Sequence, residues 1–329
     1  MADSDNAFAI RFDATGGPEV MVAVPIDIME PGPGQVRLRH QAVGLNFIDT
    51  YFRTGLYPVD LPGGLGNEAA GVVEAVGKGV RDLQPGERVG YFTGPVGAYA
   101  THRLVDAARL VRLPEAISSE QAAAAMLKGC TAEYLIERCA RVQPGQAVLV
   151  HAAAGGVGSI AVQWLKALGA IVIAHSGSAA KARLASELGA DYSFDCPMDE
   201  LAGKVREATG GAGVPVVLDG VGAASWEASL GSVARRGLVV SYGNASGPVP
   251  PFTPLNLMRR GSIFVTRPTL GDYCATPEEM RASAARLFAM MSSGKVDVQI
   301  GARFPLADAA AAHRALEARQ TTGSTVLVV

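Results

Sequence analysis

Cysteine is scarce, with only Cys130, Cys139, Cys196 and Cys274 among 329 residues. They are far apart and no two form a C-x-x-C pair, which excludes a cysteine-rich zinc site and suits reduced thiols in the cytoplasm. Neither sign of charge dominates: 29 basic side chains face 31 acidic ones, for a net charge of −2. The sequence therefore lacks the electrostatic footprint of a nucleic-acid partner or an anionic membrane surface. Long apolar runs are missing too. The longest charge-free stretch, Val142 to Leu165, holds Pro144, four glycines and three glutamines, and reads as a buried strand, turn and helix. Met1-Ala2-Asp3-Ser4-Asp5-Asn6 has no basic n-region and no apolar core, so neither a signal nor a transit peptide is expected. No G-K-[ST] follows a glycine-rich run, and no serine sits in G-x-S-x-G. His40, His102, His151, His175 and His313 show no paired ligand spacing, which leaves no histidine-based metal motif.

Glycine is abundant, at 39 residues. At the usual ~7 % about 23 would be expected, and without a G-X-Y period the excess marks backbone-critical turns. The first third reads as short strands, Phe8 to Phe12, Gln35 to Val43, Gly71 to Val76 and Arg88 to Gly90, between Gly-Pro-rich loops such as Pro31-Gly32-Pro33-Gly34. Ser118 and Gln121 make a capping box, after which an Ala-rich helix is expected from Glu120 to about Ala140, with a break at Gly129. From Ala147 apolar strands alternate with helices: strands Ala147 to His151, Ala170 to Ala174, Val214 to Leu218 and Leu238 to Ser241, and helices Val157 to Leu168 and Ala179 to Leu188. Continuously apolar strands joined by helices belong in a parallel sheet covered on both faces. The fold class is α/β, a Rossmann-type doubly wound sheet plus a β-rich domain. Two further helices, Pro277 to Met291 and Ala307 to Ala318, and a strand Thr325 to Val329 are expected to return and complete the β-rich domain. The domains read as 1–125 with 265–329, and 126–264.

The most informative segment follows the strand ending at His151. Ala152-Ala153-Ala154-Gly155-Gly156-Val157-Gly158 opens a helix with apolar Val157, Ile160, Ala161, Trp164, Leu165 and Leu168 on one face. Against G-x-G-x-x-G, Ala153 replaces the first glycine, while Gly155 and Gly158 keep the second and third. The second allows close backbone approach to a pyrophosphate, the third allows tight helix–strand packing, and the helix start offers N–H groups to the anion. Specificity is set at the end of the next strand, where an acid would bind a ribose 2′-hydroxyl. This chain instead has His175-Ser176-Gly177-Ser178 and then Lys181, hydroxyls and a cation suited to a 2′-phosphate, which favours NADPH.

Together with Asn46-Phe47-Ile48-Asp49-Thr50-Tyr51, Gly66-Asn67-Glu68-Ala69-Ala70-Gly71, Ser241-Tyr242-Gly243-Asn244 and Val265-Thr266-Arg267-Pro268, this loop makes the chain resemble the quinone oxidoreductase branch of the medium-chain dehydrogenase/reductase superfamily, with its zeta-crystallins. The resemblance runs from Gly16-Gly17-Pro18-Glu19-Val20 to Gly323-Ser324. It implies a β-rich catalytic domain built from both chain ends, a central dinucleotide-binding domain and a homodimer. Zinc-dependent relatives place a cysteine at Asn46 and a histidine at Asn67, so no catalytic metal is expected. The resemblance also implies that Ala154, Gly155, Gly156, Val157 and Gly158 hold the pyrophosphate and Ser178 and Lys181 the 2′-phosphate. Lys128 and Thr131 would lie beside the nicotinamide half, and Tyr242, Gly243, Asn244 and Arg319 would contact the cofactor. Cys196 departs from a tyrosine at the adenosine end. Asn46, Asp49, Tyr51, Tyr57 and Arg267 resemble the pocket residues, with Asn46 and Tyr51 as hydrogen-bond donors to the substrate. Asp49 and Arg267 could equally belong to a satisfied polar network. The expected activity is hydride transfer from NADPH to a quinone. The rivals are reduction of an α,β-unsaturated carbonyl compound and a structural or RNA-binding, crystallin-like role, the last weakened by the absence of a basic patch.

Overall fold

The computed structural model describes residues 7–329, so the N-terminal segment Met1–Asn6 considered above lies outside the described residues. The chain divides into two compact units. The first takes the chain up to Lys128 with Cys274–Phe288 and Val298–Val329; the second takes Gly129–Tyr273 and Ala289–Asp297.

The first unit opens with β1 (Phe8–Phe12), β2 (Val22–Pro25), β3 (Gln35–Leu45), α1 (Phe47–Thr54), β4 (Gly63–Gly64), β5 (Ala69–Val76), β6 (Arg88–Tyr91), β7 (His102–Asp106) and β8 (Val111–Arg112). Along β3, Val36, Leu38, His40 and Ala42 alternate inward with a period of two, the mark of a strand with one face in the core. α2 (Ser119–Glu133) starts on the expected box, Ser118 N donating to Gln121 Oε1 at 2.9 Å and Gln121 N to Ser118 Oγ at 3.1 Å. The expected break at Gly129 does not occur. One glycine costs a helix about 1 kcal/mol, and Ala122–Met126, Cys130 and Ala132 are buried around it, so the helix runs on to Glu133. It then widens into a π-turn over Tyr134–Cys139, closed by Ala140 N to Leu135 O at 2.9 Å.

The second unit continues with β9 (Ala147–His151), α3 (Gly156–Ala167), β10 (Ile171–His175), α4 (Ala179–Glu187), β11 (Tyr192–Phe194), α5 (Met198–Ala208), β12 (Val214–Asp219), α6 (Trp226–Ser232), β13 (Val233–Ser241), α7 (Pro254–Arg259), β14 (Phe264–Thr266) and α8 (Leu270–Tyr273). Its six strands form one parallel sheet in the order β11-β10-β9-β12-β13-β14. The order reverses beside β9, and in open α/β sheets ligands bind at the carboxyl ends of the strands at such a reversal.

The chain then gives α9 (Pro277–Ser292), β15 (Ile300–Pro305), α10 (Ala309–Glu317) and β16 (Ser324–Val328). β16 runs antiparallel to β3, with Thr325 opposite Leu45 and Val328 opposite Ala42, and lies inside the sheet β15-β16-β3-β5-β6-β8. The core of this unit gathers Phe12, Val36, Leu38, Leu65, Tyr91 and Leu327.

His40 is buried in this sheet, with Nδ1 2.7 Å from Ala100 O and Nε2 3.2 Å from the Tyr91 hydroxyl. Burial pushes its pKa down to about 4, against a smaller upward pull from the Ala100 carbonyl. The imidazole stays neutral in the fold while the unfolded chain protonates it below about 6.5. Its contribution to stability is complete above that pH and is lost as pH falls toward 4. His40→Gln should therefore flatten the dependence of unfolding free energy on pH between those limits by about 1.4 kcal/mol per unit, as read by urea titration at several pH values.

Candidate functional site

α1 carries the first part of the site. Asn46 caps it, its backbone N–H donating to Asp49 Oδ2 at 2.9 Å, and Gly55 closes it with φ +81°. Asp49 is wholly buried and also accepts from the Tyr99 hydroxyl at 3.1 Å and from Asn67 Nδ2 at 3.3 Å. Burial raises its pKa to about 7, opposed by these hydrogen bonds and by the charge of Lys128. Tyr99 reaches it because position 66 is glycine: a Cβ on Gly66 would stand 2.4 Å from the Tyr99 ring, and φ there is +90°. Tyr51, also buried, meets Tyr57 edge-on at 5.3 Å between ring centroids, and Tyr57 N donates to Tyr51 O at 3.0 Å.

Glu68 sits under the N-cap with no exposed surface. It accepts Leu127 N at 2.6 Å and Asn46 Nδ2 at 3.0 Å, and burial pushes its carboxyl upward against the nearby Lys128 charge. Asn46 Nδ2 also donates to Gly44 O at 3.3 Å. Both amide hydrogens of Asn46 are thus committed. The expectation that Asn46 donates to a substrate oxygen does not fit this arrangement. Lys128 Nζ is buried, 3.6 Å from Glu68 Oε2, with no hydrogen-bond partner among the described residues. Its ammonium is ion-paired with Glu68 at a distance longer than a hydrogen bond, which leaves donors for an oxygen-bearing ligand. Thr131, three residues further along α2, is buried as well. Arg319 follows α10 with φ +58°. Among the described residues no group of three or more His, Cys, Asp or Glu side chains could hold a metal ion.

In the second unit, Gly155 is the N-cap of α3 and gives it no side-chain cap. Gly155 N turns back to Ala152 O at 2.9 Å, and the intrahelical ladder begins with Ser159 N to Gly155 O at 2.8 Å. The N–H groups of Gly156, Val157 and Gly158 therefore point out of the helix start, where the macrodipole is positive. A Cβ at Gly158 would lie 2.2 Å from Ala152 O, so glycine is required for α3 to pack this close to the loop. β10 ends beside it. Ser176 Oγ is buried without a partner among the described residues. Ser178 is exposed and caps α4 by accepting Lys181 N at 3.4 Å. These features fit a dinucleotide: an uncapped helix start for the pyrophosphate, then an unpaired hydroxyl, an exposed serine and a lysine.

Beside β9 in the sheet, β12 ends at Asp219, whose buried carboxylate accepts Val221 N, Gly222 N and the hydroxyls of Ser225 and Ser229 at 2.6 to 3.2 Å. Ser229 Oγ also meets His151 Nε2 at 3.0 Å, which joins the end of β12 to the end of β9. Tyr242 N donates to Asp219 O at 2.8 Å, so Tyr242, Gly243 and Asn244 follow β13 at the same sheet edge as the glycine loop. Arg267 is exposed just beyond β14. Cys196 O accepts from His175 Nε2 at 3.0 Å, so its backbone braces the end of β10. Sequence reasoning missed Glu68, Tyr99, Asp219 and His313. Only Glu68 carried a signal, an acid directly before the apolar run Ala69 to Val73.

Comparison with known proteins adds the following. A family model described as zinc-binding dehydrogenase matches residues 156–298, and one described as alcohol dehydrogenase GroES-like domain matches residues 32–115. The chain is 51 % identical to a quinone oxidoreductase of Pseudomonas aeruginosa over 97 % of its own length and 98 % of the relative's. A 2-haloacrylate reductase of Burkholderia is 42 % identical over 95 % of this chain and 96 % of that protein. The structure matches that of Escherichia coli quinone oxidoreductase complexed with NADPH with a TM-score of 0.96, at 44 % identity, covering 98 % of this chain and 100 % of the other.

Proposed function

Because the chain belongs to the quinone oxidoreductase branch of the medium-chain dehydrogenase/reductase superfamily, we propose that it reduces quinones with NADPH and without zinc. The observation that carries this reading is the uncapped start of α3 at the sheet reversal, with the Ser176–Lys181 segment at the end of the next strand. NADPH, when bound, supplies a hydride from C4, and a proton completes the two-electron reduction to a hydroquinone. The protein's part is to bind and orient. Gly156, Val157 and Gly158 offer backbone N–H groups to the pyrophosphate, with Ala154 and Gly155 shaping the loop. Ser178 and Lys181 hold the 2′-phosphate. Lys128, Thr131, Tyr242, Gly243, Asn244 and Arg319 are the further candidates for cofactor contact, and Asn46, Asp49, Tyr51 and Tyr57 in the first unit and Arg267 in the second are the candidates for substrate contact.

The zinc positions of dehydrogenase relatives are filled here by Asn46 and Asn67, whose amides are turned to the carboxylates of Glu68 and Asp49. Neutral amides are poor zinc ligands. The test is steady-state NADPH oxidation by metal-free protein against a panel of quinones and activated alkenes. Turnover of quinones is expected, while a strict zinc requirement or no quinone turnover would overturn the reading. The 2-haloacrylate reductase relative favours one second reading, reduction of a carbon–carbon double bond activated by a carbonyl group, and the same panel separates it.

Negative charge develops on a quinone oxygen as it is reduced, and we assign Tyr51 as the hydrogen-bond donor to it. Tyr51→Phe keeps the ring and deletes the donor. It should lower kcat/KM for quinones by about 3- to 100-fold, from a lost hydrogen bond of roughly 0.7–2.7 kcal/mol. NADPH affinity should stay unchanged. Stopped-flow kinetics and a binding titration measure the two separately.

We also propose a homodimer acting in the cytoplasm, where its four free cysteines stay reduced. β14 is a sheet edge, and Phe264, Met258 and Leu255 near it in sequence are 62 %, 58 % and 47 % exposed, an apolar set suited to a second copy. Sedimentation of Phe264→Lys as a monomer supports this; an unchanged dimer excludes this face.

A further inference from the structure

Behind the pocket, four side chains of the first unit pass hydrogen bonds in one direction, and both ends of the series lie on α1. Arg53, 1 % exposed, donates Nε to Gly16 O at 3.1 Å, Nη2 to Glu317 Oε1, and Nη1 to His313 Nδ1 at 2.8 Å. A guanidinium can only donate, so Nδ1 of His313 must accept and its ring proton must sit on Nε2. Nε2 lies 3.0 Å from the Tyr99 oxygen, and the single Tyr99 hydroxyl hydrogen is then directed to Asp49 Oδ2 at 3.1 Å. Burial and the Arg53 charge together push His313 down to about 3, which keeps the imidazole neutral. Asp49 and Arg53 are four residues apart on one helix face, and the series from one to the other runs out through α10 and back.

We propose that Arg53, His313 and Tyr99 are positioning residues for the reaction, a one-way hydrogen-bond relay that closes a ring on α1 and fixes the helix presenting Tyr51. The proposal rests on the reading of Tyr51 as the substrate's donor. α1 has only eight residues, rich in aromatic and β-branched side chains, and two turns of such a sequence have little stability of their own. Its orientation must come from tertiary ties. The capping bond from Asn46 to Asp49 holds its start, Arg53 holds its last turn, and the relay joins the two through α10 and Tyr99. The ionisable groups facing Asp49 are Tyr99 and Lys128, with Glu68 beyond Asn46 and with His313 and Arg53 beyond Tyr99. A shift of about 1 Å in a donor can cost up to 100-fold in rate, so loosening α1 is felt at Tyr51 without any loss of cofactor contacts.

Nitrogen-15 NMR of histidine-labelled protein reads the relay directly. His313 is expected as the neutral Nε2–H tautomer from pH 5 to 9, and the Nδ1–H tautomer, or titration between pH 5 and 7, would overturn the relay. In kinetics, Tyr99→Phe and His313→Leu should each lower quinone kcat about 10-fold with NADPH Kd within about twofold. The double variant should lose no more than the worse single, because either change opens the same ring; additive losses count against the relay. His313→Gln, which can accept from Arg53 and donate to Tyr99, should recover kcat to within about threefold of the parent. If His313→Leu does not fold, Tyr99→Phe and the NMR signature still decide. Tyr51→Phe separates the two readings. A loss in Tyr51→Phe with none in Tyr99→Phe overturns the positioning role alone, and no loss in either overturns the pocket assignment and the positioning role with it.

Discussion

Lys181→Ala should weaken NADPH binding by about 10- to 150-fold and leave NADH binding almost unchanged. One charge-assisted hydrogen bond to a phosphate is worth roughly 1.5–3 kcal/mol, and that range sets the factor. Lys181 lies in the first turn of α4, where the helix start already favours an anion, and its backbone N–H is taken by Ser178 Oγ. Its ammonium is the cation nearest in sequence to the end of β10, and no acid stands in the His175–Ser178 segment to prefer a bare ribose. Titration of both cofactors by fluorescence measures the ratio. Equal losses would show that Lys181 does not read the 2′-phosphate.

Gly158→Val should be more severe, with NADPH binding lost by at least about 100-fold and a lowered unfolding temperature. Even the first carbon of the new side chain would lie 2.2 Å from Ala152 O and 2.8 Å from the Ala153 Cα, both backbone atoms, so α3 has to retreat from the loop. Overpacking of this kind costs about 1–3 kcal/mol of stability. Retreat also moves the N–H groups of Gly156 and Val157, and losing two charge-assisted contacts of roughly 1.5 kcal/mol each gives the binding factor. Calorimetry with and without NADPH would show both effects; retained affinity would place the pyrophosphate elsewhere.

The glycine loop was legible because the apolar pattern changes from an unbroken strand to a 3.6-residue period at a fixed place, and β9 and α3 follow that change to within a residue. α1 was not read as a helix. Phe47-Ile48-Asp49-Thr50-Tyr51-Phe52 has the β-branched and aromatic content of a strand, and the contrary signals are brief: Asn46 with Asp49 three residues on, and Gly55 after the last turn. The commitment of both Asn46 amide hydrogens could not be read at all, since it depends on Glu68, 22 residues away. Tyr99 and His313 meet across 214 residues with no local pattern to announce it. Short-range periodicity specifies elements; it carries no record of which buried polar groups will satisfy one another.

The place of β16 inside the first unit's sheet bears on the order in which the protein can be finished during synthesis. The six strands of the second unit lie between Ala147 and Thr266, so that sheet can close while later residues are still being added. The other sheet cannot. Until Ser324–Val328 is made, the Ala42–Leu45 edge of β3 has no partner, and the nascent chain carries an apolar strand with free N–H and C=O groups. Vectorial synthesis thus completes the nucleotide-binding sheet first and leaves the sheet whose strand β3 leads into Asn46 and α1 open to mispairing until the C-terminal strand arrives.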